Sequence, residues 1–317
     1  MKYGIYYAYW ERQWGADYLP YVKRVARLGF DILEISCASV ADMPIALQGD
    51  LRRVCDDFGI TLTAGYGPKA SQNVASKESA VVHNAFEFWA KTFKILGSLG
   101  ISLVGGGLYS YWPVDYSKPI DKPSEWERSV TGVRQMGIIA DDYGITLCME
   151  VLNRHEGYLL NTADEGVAFI KAVNRPNVKV MLDTYHMNLE EDSFETAIRT
   201  AGTHLGHFHI GECNRRLPSA EGRIPWVSIG KALRGIGYDG PVVMEPFVLP
   251  GGQVGRDIRL WRDLSRGSSA KQLDENARES LQFVKSVFER GNKDETGSND
   301  KTRVHQVPRC SSPSCEP

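Results

Sequence analysis

Four short apolar runs in this chain each finish on one acid or imidazole: Leu147-Cys148-Met149-Glu150, Val180-Met181-Leu182-Asp183, Gly206-His207-Phe208-His209 and Val242-Val243-Met244-Glu245. A buried strand that ends on such a group places it at the rim of a sheet, where parallel α/β folds carry out their chemistry. Two Glu, one Asp and one His from four strands form an oxygen and nitrogen ligand set for a hard or borderline divalent cation such as Mn²⁺, Mg²⁺ or Co²⁺. One acid at a strand end is commonly a helix cap or a salt-bridge partner. Four together are poorly explained that way, because clustered carboxylates repel one another without a cation.

Side chains alternate along a strand, so Cys148 and Glu150 share a face, as do Met181 and Asp183, His207 and His209, and Val243 and Glu245. At roughly 3.3 Å rise per residue the first of each pair lies about 6–7 Å deeper. The outer layer is therefore Glu150, Asp183, His209 and Glu245, converging at one mouth. His207, in the deeper layer, reads as a hydrogen-bonded core histidine rather than a ligand.

The elements that must carry these residues repeat one phrase: an amphipathic helix, a Gly that can stop it in a left-handed cap, then an apolar strand. Leu28-Gly29-Phe30 precedes a strand at 31–36, Phe58-Gly59-Ile60 one at 61–65, Leu99-Gly100-Ile101 one at 102–106 and Tyr143-Gly144-Ile145 one at 146–152. With 3–8, 178–184, 205–211 and 241–247 there are eight. The helical stripes are clearest at Val82, Phe86, Trp89, Phe93 and Leu96, and at Leu273, Ala277, Leu281, Val284 and Phe288. Eight such units predict a single-domain (β/α)₈ TIM barrel over 1–290. An open doubly wound sheet competes poorly, since no glycine-rich nucleotide fingerprint follows the first strand. Residues 291–317 are polar and predict a disordered tail, with Cys310 and Cys315 inside it.

Bulk composition narrows the partners. The 317 residues are 42% hydrophobic, enough for a large core, and 37 Lys+Arg against 39 Asp+Glu leave a formal charge of −2. That balance argues against nucleic acid and anionic membranes as partners and favours a small molecule. Neither a signal-like start nor a membrane-length apolar run is evident, and the six cysteines lack zinc-type spacing. A cytoplasmic protein with reduced thiols is expected.

The runs Gly4-Ile5-Tyr6-Tyr7, Met149-Glu150-Val151-Leu152-Asn153-Arg154, Met181-Leu182-Asp183-Thr184-Tyr185-His186-Met187-Asn188, Gly206-His207-Phe208-His209-Ile210-Gly211-Glu212, Asn214-Arg215-Arg216 and Met244-Glu245-Pro246-Phe247 resemble the ketose 3-epimerases. These enzymes act on D-psicose (D-allulose), D-tagatose or L-ribulose and belong to the xylose-isomerase-like barrels. The resemblance covers about 2–289, in collinear order, and is nearest to the psicose-preferring branch. It implies a Mn²⁺ or Co²⁺ ion, with Mg²⁺ a further candidate, held by Glu150, Asp183, His209 and Glu245, and proton exchange at C3 by Glu150 and Glu245 through a metal-bound cis-enediolate. It also implies that Glu156, His186 and Arg215 hold the oxygens around C1 to C3, and that the chain forms a homodimer or homotetramer. Two departures stand out: His155 where an aromatic is expected, and an extra residue around Ser219-Ala220-Glu221 that could alter how Arg215 is presented.

The chemistry is coherent in itself. Inverting a secondary alcohol beside a ketone requires removing one C–H proton and returning another from the opposite face, for which two carboxylates serve as base and acid. Tyr6, Trp14, Trp112 and Phe247 are the aromatic residues expected to meet the apolar face of a sugar, with Gly65, Gly105, Gly106 and Gly107 leaving room for it. Gly251-Gly252-Gln253-Val254-Gly255 reads as a flexible loop. Competing functions are an aldose–ketose isomerase of the same barrel group, a metal-dependent endonuclease, disfavoured by the even charge, and a non-catalytic sugar-binding protein, for which two opposed acids would be superfluous.

Overall fold

Gly29 and Gly59 each end a helix at φ +89° and +66°, the left-handed conformation that glycine adopts without a Cβ clash. The chain turns there directly into the next strand. The computed structural model describes residues 1–289. The polar stretch expected as a tail, with Cys310 and Cys315, lies outside the described residues.

Eight strands alternate with helices: β1 (Lys2–Tyr6), β2 (Ile32–Ser36), β3 (Thr61–Gly65), β4 (Leu103–Gly106), β5 (Thr146–Glu150), β6 (Val178–Asp183), β7 (Leu205–Ile210) and β8 (Pro241–Met244). All neighbouring pairs are parallel, and β8 returns to β1 through Gly4 opposite Val243, closing the barrel. Asp183 lies opposite His209 because the β6–β7 register shifts at Val180/Met181.

Three strands end two or three residues earlier than the apolar runs predict, and β6 and β7 end one residue earlier. β1 stops at Tyr6 and enters a 3₁₀ turn over Tyr7–Trp10, β5 stops at Glu150 and β8 at Met244. Val151, Leu152 and Phe247 are buried all the same, at 2%, 7% and 3% exposure. They lie in loops, and hydrophobicity alone does not separate a buried loop from a buried strand. Glu150 and Asp183 are thus the last residues of their strands, whereas Glu245 lies one residue beyond β8.

The helical stripes bury as expected at Trp89, Phe93 and Leu96 and along Leu273, Ala277, Leu281, Val284 and Phe288, while Val82 and Phe86 are half-buried. Gly251–Gly255, read as a flexible loop, runs into a short helix, Gly252–Asp257. A Cβ on Gly252 would stand 2.0 Å from the Arg12 carbonyl oxygen, so this turn is packed down on the loop after β1. Cys37, Cys55, Cys148 and Cys213 are free thiols. Among the described residues no helix is long and apolar enough to cross a membrane.

Candidate active site

At the carboxyl ends of the strands one ligand atom from each of Glu150, Asp183, His209 and Glu245 lies within 4.8 Å of all the others. Each is fixed differently. Tyr109 donates its hydroxyl to the Glu150 carbonyl at 2.8 Å, pinning the end of β5. Asp183 caps the following helix through Oδ1, which accepts from the Tyr185 N–H at 2.9 Å, so the ordinary role of a strand-end acid and a free second oxygen coexist in one side chain. Thr184 clips β6 to β7, its Oγ1 donating to the Gly211 carbonyl and accepting from the Gly211 N–H.

Three atoms of the cluster, Glu150 Oε1, Asp183 Oδ2 and His209 Nδ1, are buried and have no hydrogen-bond partner. A buried polar atom without a partner costs about 1–3 kcal/mol, and more when charged. Three such atoms aimed at one place are what a cation would satisfy. Electrostatics agree: burial, then repulsion from Glu245, holds the Glu150 carboxyl well above the usual carboxylate range. Burial also opposes charge on His209, yet Glu34 and Glu245 more than reverse it and draw its imidazole toward the protonated form. Positive charge is what the cluster lacks, and its oxygen and nitrogen donors fit a divalent metal.

Glu34, on β2, was not among the sequence candidates. It is 0% exposed, with Oε1 2.6 Å from His209 Nε2 and Oε2 2.7 Å from His207 Nε2 and 2.8 Å from Thr63 Oγ1. Burial raises its pKa, but the two histidines outweigh that and keep it ionised. His207 belongs to this deeper network, as its place in the strand predicts. The available signal was an acid inside an otherwise apolar strand, Ile32-Leu33-Glu34-Ile35.

Glu156, His186 and Arg215 meet beside the cluster. Arg215 directs one nitrogen to Glu245 Oε2 at 2.5 Å and the other to both Glu156 oxygens at 3.0 and 3.1 Å. Its guanidinium lies 3.8 Å from the Tyr185 ring centroid, and its own φ is +64°. His186 Nδ1 accepts the Asn153 backbone N–H at 3.1 Å, which leaves Nε2 to carry the proton. That Nε2 stands 3.7 Å from Glu150 and 3.8 Å from Asp183, and burial keeps the ring below its ordinary pKa. His186 therefore presents a neutral N–H donor.

The loop around Ser219-Ala220-Glu221 is anchored on Glu212. Glu212 accepts from the N–H groups of Ser219 and Arg223 and from Trp226 Nε1, and ties the loop down on itself. Separately, the Arg215 N–H donates to the Glu212 carbonyl and the Arg215 carbonyl accepts from Phe247, both within the rim. His155 is exposed and is not among the residues that line the cavity.

The cavity above the cluster encloses about 410 Å³. Tyr6, Trp14, Trp112 and Phe247 form one wall, with Trp14 edge-on to Trp112 at 6.2 Å and to Phe247 at 6.0 Å. Gly65, Gly105, Gly106 and Gly107 all line it. Gly105 and Gly106 have a further reason to be glycine: a Cβ would stand 2.6 Å from Met181 Sδ and 2.2 Å from the Tyr66 carbonyl oxygen, respectively. Close packing of β4, as much as space for a ligand, demands them.

Comparison with known proteins adds an independent line. The profile of the xylose isomerase-like TIM barrel family matches residues 22–287. The chain is 54% identical to D-psicose 3-epimerase of Ruminiclostridium cellulolyticum, covering 91% of this chain and 98% of that protein. It is 52% identical to D-psicose 3-epimerase of Agrobacterium fabrum, covering 91% and 99%. A crystal structure of D-psicose 3-epimerase with D-tagatose from Clostridium cellulolyticum H10 superposes with a TM-score of 0.90 over 91% of this chain and 99% of that chain, at 54% identity.

Proposed function

We propose that this chain, which belongs to the xylose isomerase-like TIM barrel family, is a ketose 3-epimerase that interconverts D-fructose and D-psicose by moving the proton on C3. The observation that carries the reading is the convergence of Glu150 and Glu245 with Asp183 and His209 on the floor of a cavity walled by aromatic rings. Similarity to D-psicose 3-epimerases over nearly the whole barrel supports the substrate.

In this reading Glu150, Asp183, His209 and Glu245 would hold Mn²⁺ or Co²⁺, with Mg²⁺ a weaker candidate; when bound, the ion is a Lewis acid for the ketone and its neighbouring hydroxyl. The remaining work falls to side chains. Glu150 and Glu245 arrive from β5 and β8, so one removes the C3 proton and the other returns one on the opposite face. The His186 N–H and the Arg215 guanidinium donate to the oxygens where negative charge develops. Glu156 accepts from the 1-hydroxyl. Tyr6, Trp14, Trp112 and Phe247 cover the remainder of the chain of the sugar, and Gly65 and Gly107 admit it. We extend the reading to one catalytic domain over 1–290, working in the cytoplasm as a homodimer or homotetramer, on its resemblance to the ketose 3-epimerases.

The test is a reaction in D₂O. A carboxylate open to water trades its proton before returning one to carbon, so deuterium should enter C3 of the product ketose with little at C1. Deuterium at C1 together with aldose formation would establish an aldose–ketose isomerase instead, and binding without turnover would leave only a sugar-binding protein.

Glu156 gives a milder expected result. Glu156→Gln removes a charged acceptor without touching the metal ligands, and such a hydrogen bond contributes about 1.5–3 kcal/mol, so KM should rise roughly 10–100-fold while kcat changes little. Steady-state kinetics on D-psicose decide this, and a fall in kcat at constant KM would show that Glu156 acts in the transition state, itself or through Arg215, and not in substrate binding.

A further inference from the structure

We infer that Glu34 is the positioning residue that makes His209 a metal ligand through Nδ1, by holding the proton of that ring on Nε2. The inference rests on the metal reading above and goes beyond it to a residue outside the ligand set.

An imidazole can coordinate only through a nitrogen without a proton, and the partner of its other nitrogen decides which one that is. His209 Nε2 lies 2.6 Å from Glu34 Oε1, a charge-assisted distance at a carboxylate that burial seals from water. Nδ1 of the same ring faces Glu245 Oε1 at 3.7 Å and has no hydrogen bond. The other oxygen of Glu34 is occupied by His207 Nε2 at 2.7 Å and Thr63 Oγ1 at 2.8 Å. Glu34 is thereby surrounded by three donors, and a carboxylate accepts from all three at once.

An amide at this position cannot do so. In Glu34→Gln one oxygen becomes an NH₂ donor, which confronts an imidazole Nε2–H or the Thr63 hydroxyl, and the negative charge that favours a proton on Nε2 is gone. His186 illustrates the converse arrangement in the same cavity. Its Nδ1 accepts from Asn153, and its inward nitrogen is a donor. Two buried imidazoles thus face one site with opposite roles, each assigned by its outer partner.

The experiment measures Mn²⁺ affinity by the loss of the free-ion EPR signal, in the full-length wild type, Glu34→Gln and Thr63→Val. Glu34→Gln should raise the Kd about 10–100-fold. Thr63→Val, which disturbs the same buried carboxylate but leaves its bond to His209, should stay within roughly threefold. Equal loss in both variants, or no loss in Glu34→Gln, would overturn the inference. Should Glu34→Gln fail to fold, ¹⁵N NMR of the wild-type histidines decides: His209 Nε2 carries a proton both without metal and with saturating diamagnetic Mg²⁺, and an unprotonated Nε2 in either state would overturn it. Wild-type protein that binds no Mn²⁺ would remove the metal reading and this inference together, whereas normal wild-type binding with an unaffected Glu34→Gln removes only the latter.

Discussion

Chelating the purified protein and then removing the chelator should abolish turnover of D-psicose, and adding back Mn²⁺ or Co²⁺ should restore it. The expectation follows from three buried atoms, Glu150 Oε1, Asp183 Oδ2 and His209 Nδ1, that converge without a hydrogen-bond partner. With no cation there, Glu150 is pushed toward its neutral form by burial and by Glu245, and no Lewis acid remains for the charge that develops on the ketone oxygen. Stability gives a second readout. An ion at 100 times its Kd adds about 2.7 kcal/mol to the folded state, which a melting curve resolves as a rise in Tm. Full turnover by protein shown by mass spectrometry to be free of metal would refute the ligand assignment.

Glu150→Gln and Glu245→Gln should each lower kcat by about 10²–10⁴-fold, more where metal is lost as well. The two acids are not equivalent. Burial and the neighbouring Glu245 push Glu150 up, whereas His209 and Arg215 outweigh burial at Glu245 and hold it down. Metal content must therefore be measured alongside kcat for each variant. Removing one acid leaves the other able to reach C3 from its own face. Each variant should then still wash deuterium into one of the two epimers without converting it, and the two variants should favour opposite epimers. Near-normal kcat in either variant would show that the two-carboxylate assignment is wrong. Washout of both epimers by a single variant would show that one group serves both faces.

Much of the site was legible because its signals are local. A strand end is marked by a change from apolar to charged residues over four positions, and Glu150, Asp183 and His209 stand at or beside such ends. The barrel itself could be counted from four helix-stopping glycines, each followed by an apolar run, and four further apolar runs. Strand lengths were less legible, since Val151, Leu152 and Phe247 are as apolar and as buried as strand residues while lying in loops. Gly105 and Gly106 likewise reveal their reason only once Met181 and the Tyr66 backbone are brought against them.

By itself, the sequence determined the eight-unit alternation and the candidate ligands, because hydrophobic period and strand-end chemistry are written within a few residues of each other. Tertiary structure alone decided how those ligands are oriented. Glu34 reaches His207 and His209 across 173 and 175 residues of chain, and Arg215 reaches Glu156 across 59. No local pattern encodes which imidazole nitrogen faces inward or which acid a guanidinium will meet. Those roles are assigned by partners on other strands, and only closure of the barrel brings the partners within hydrogen-bonding distance.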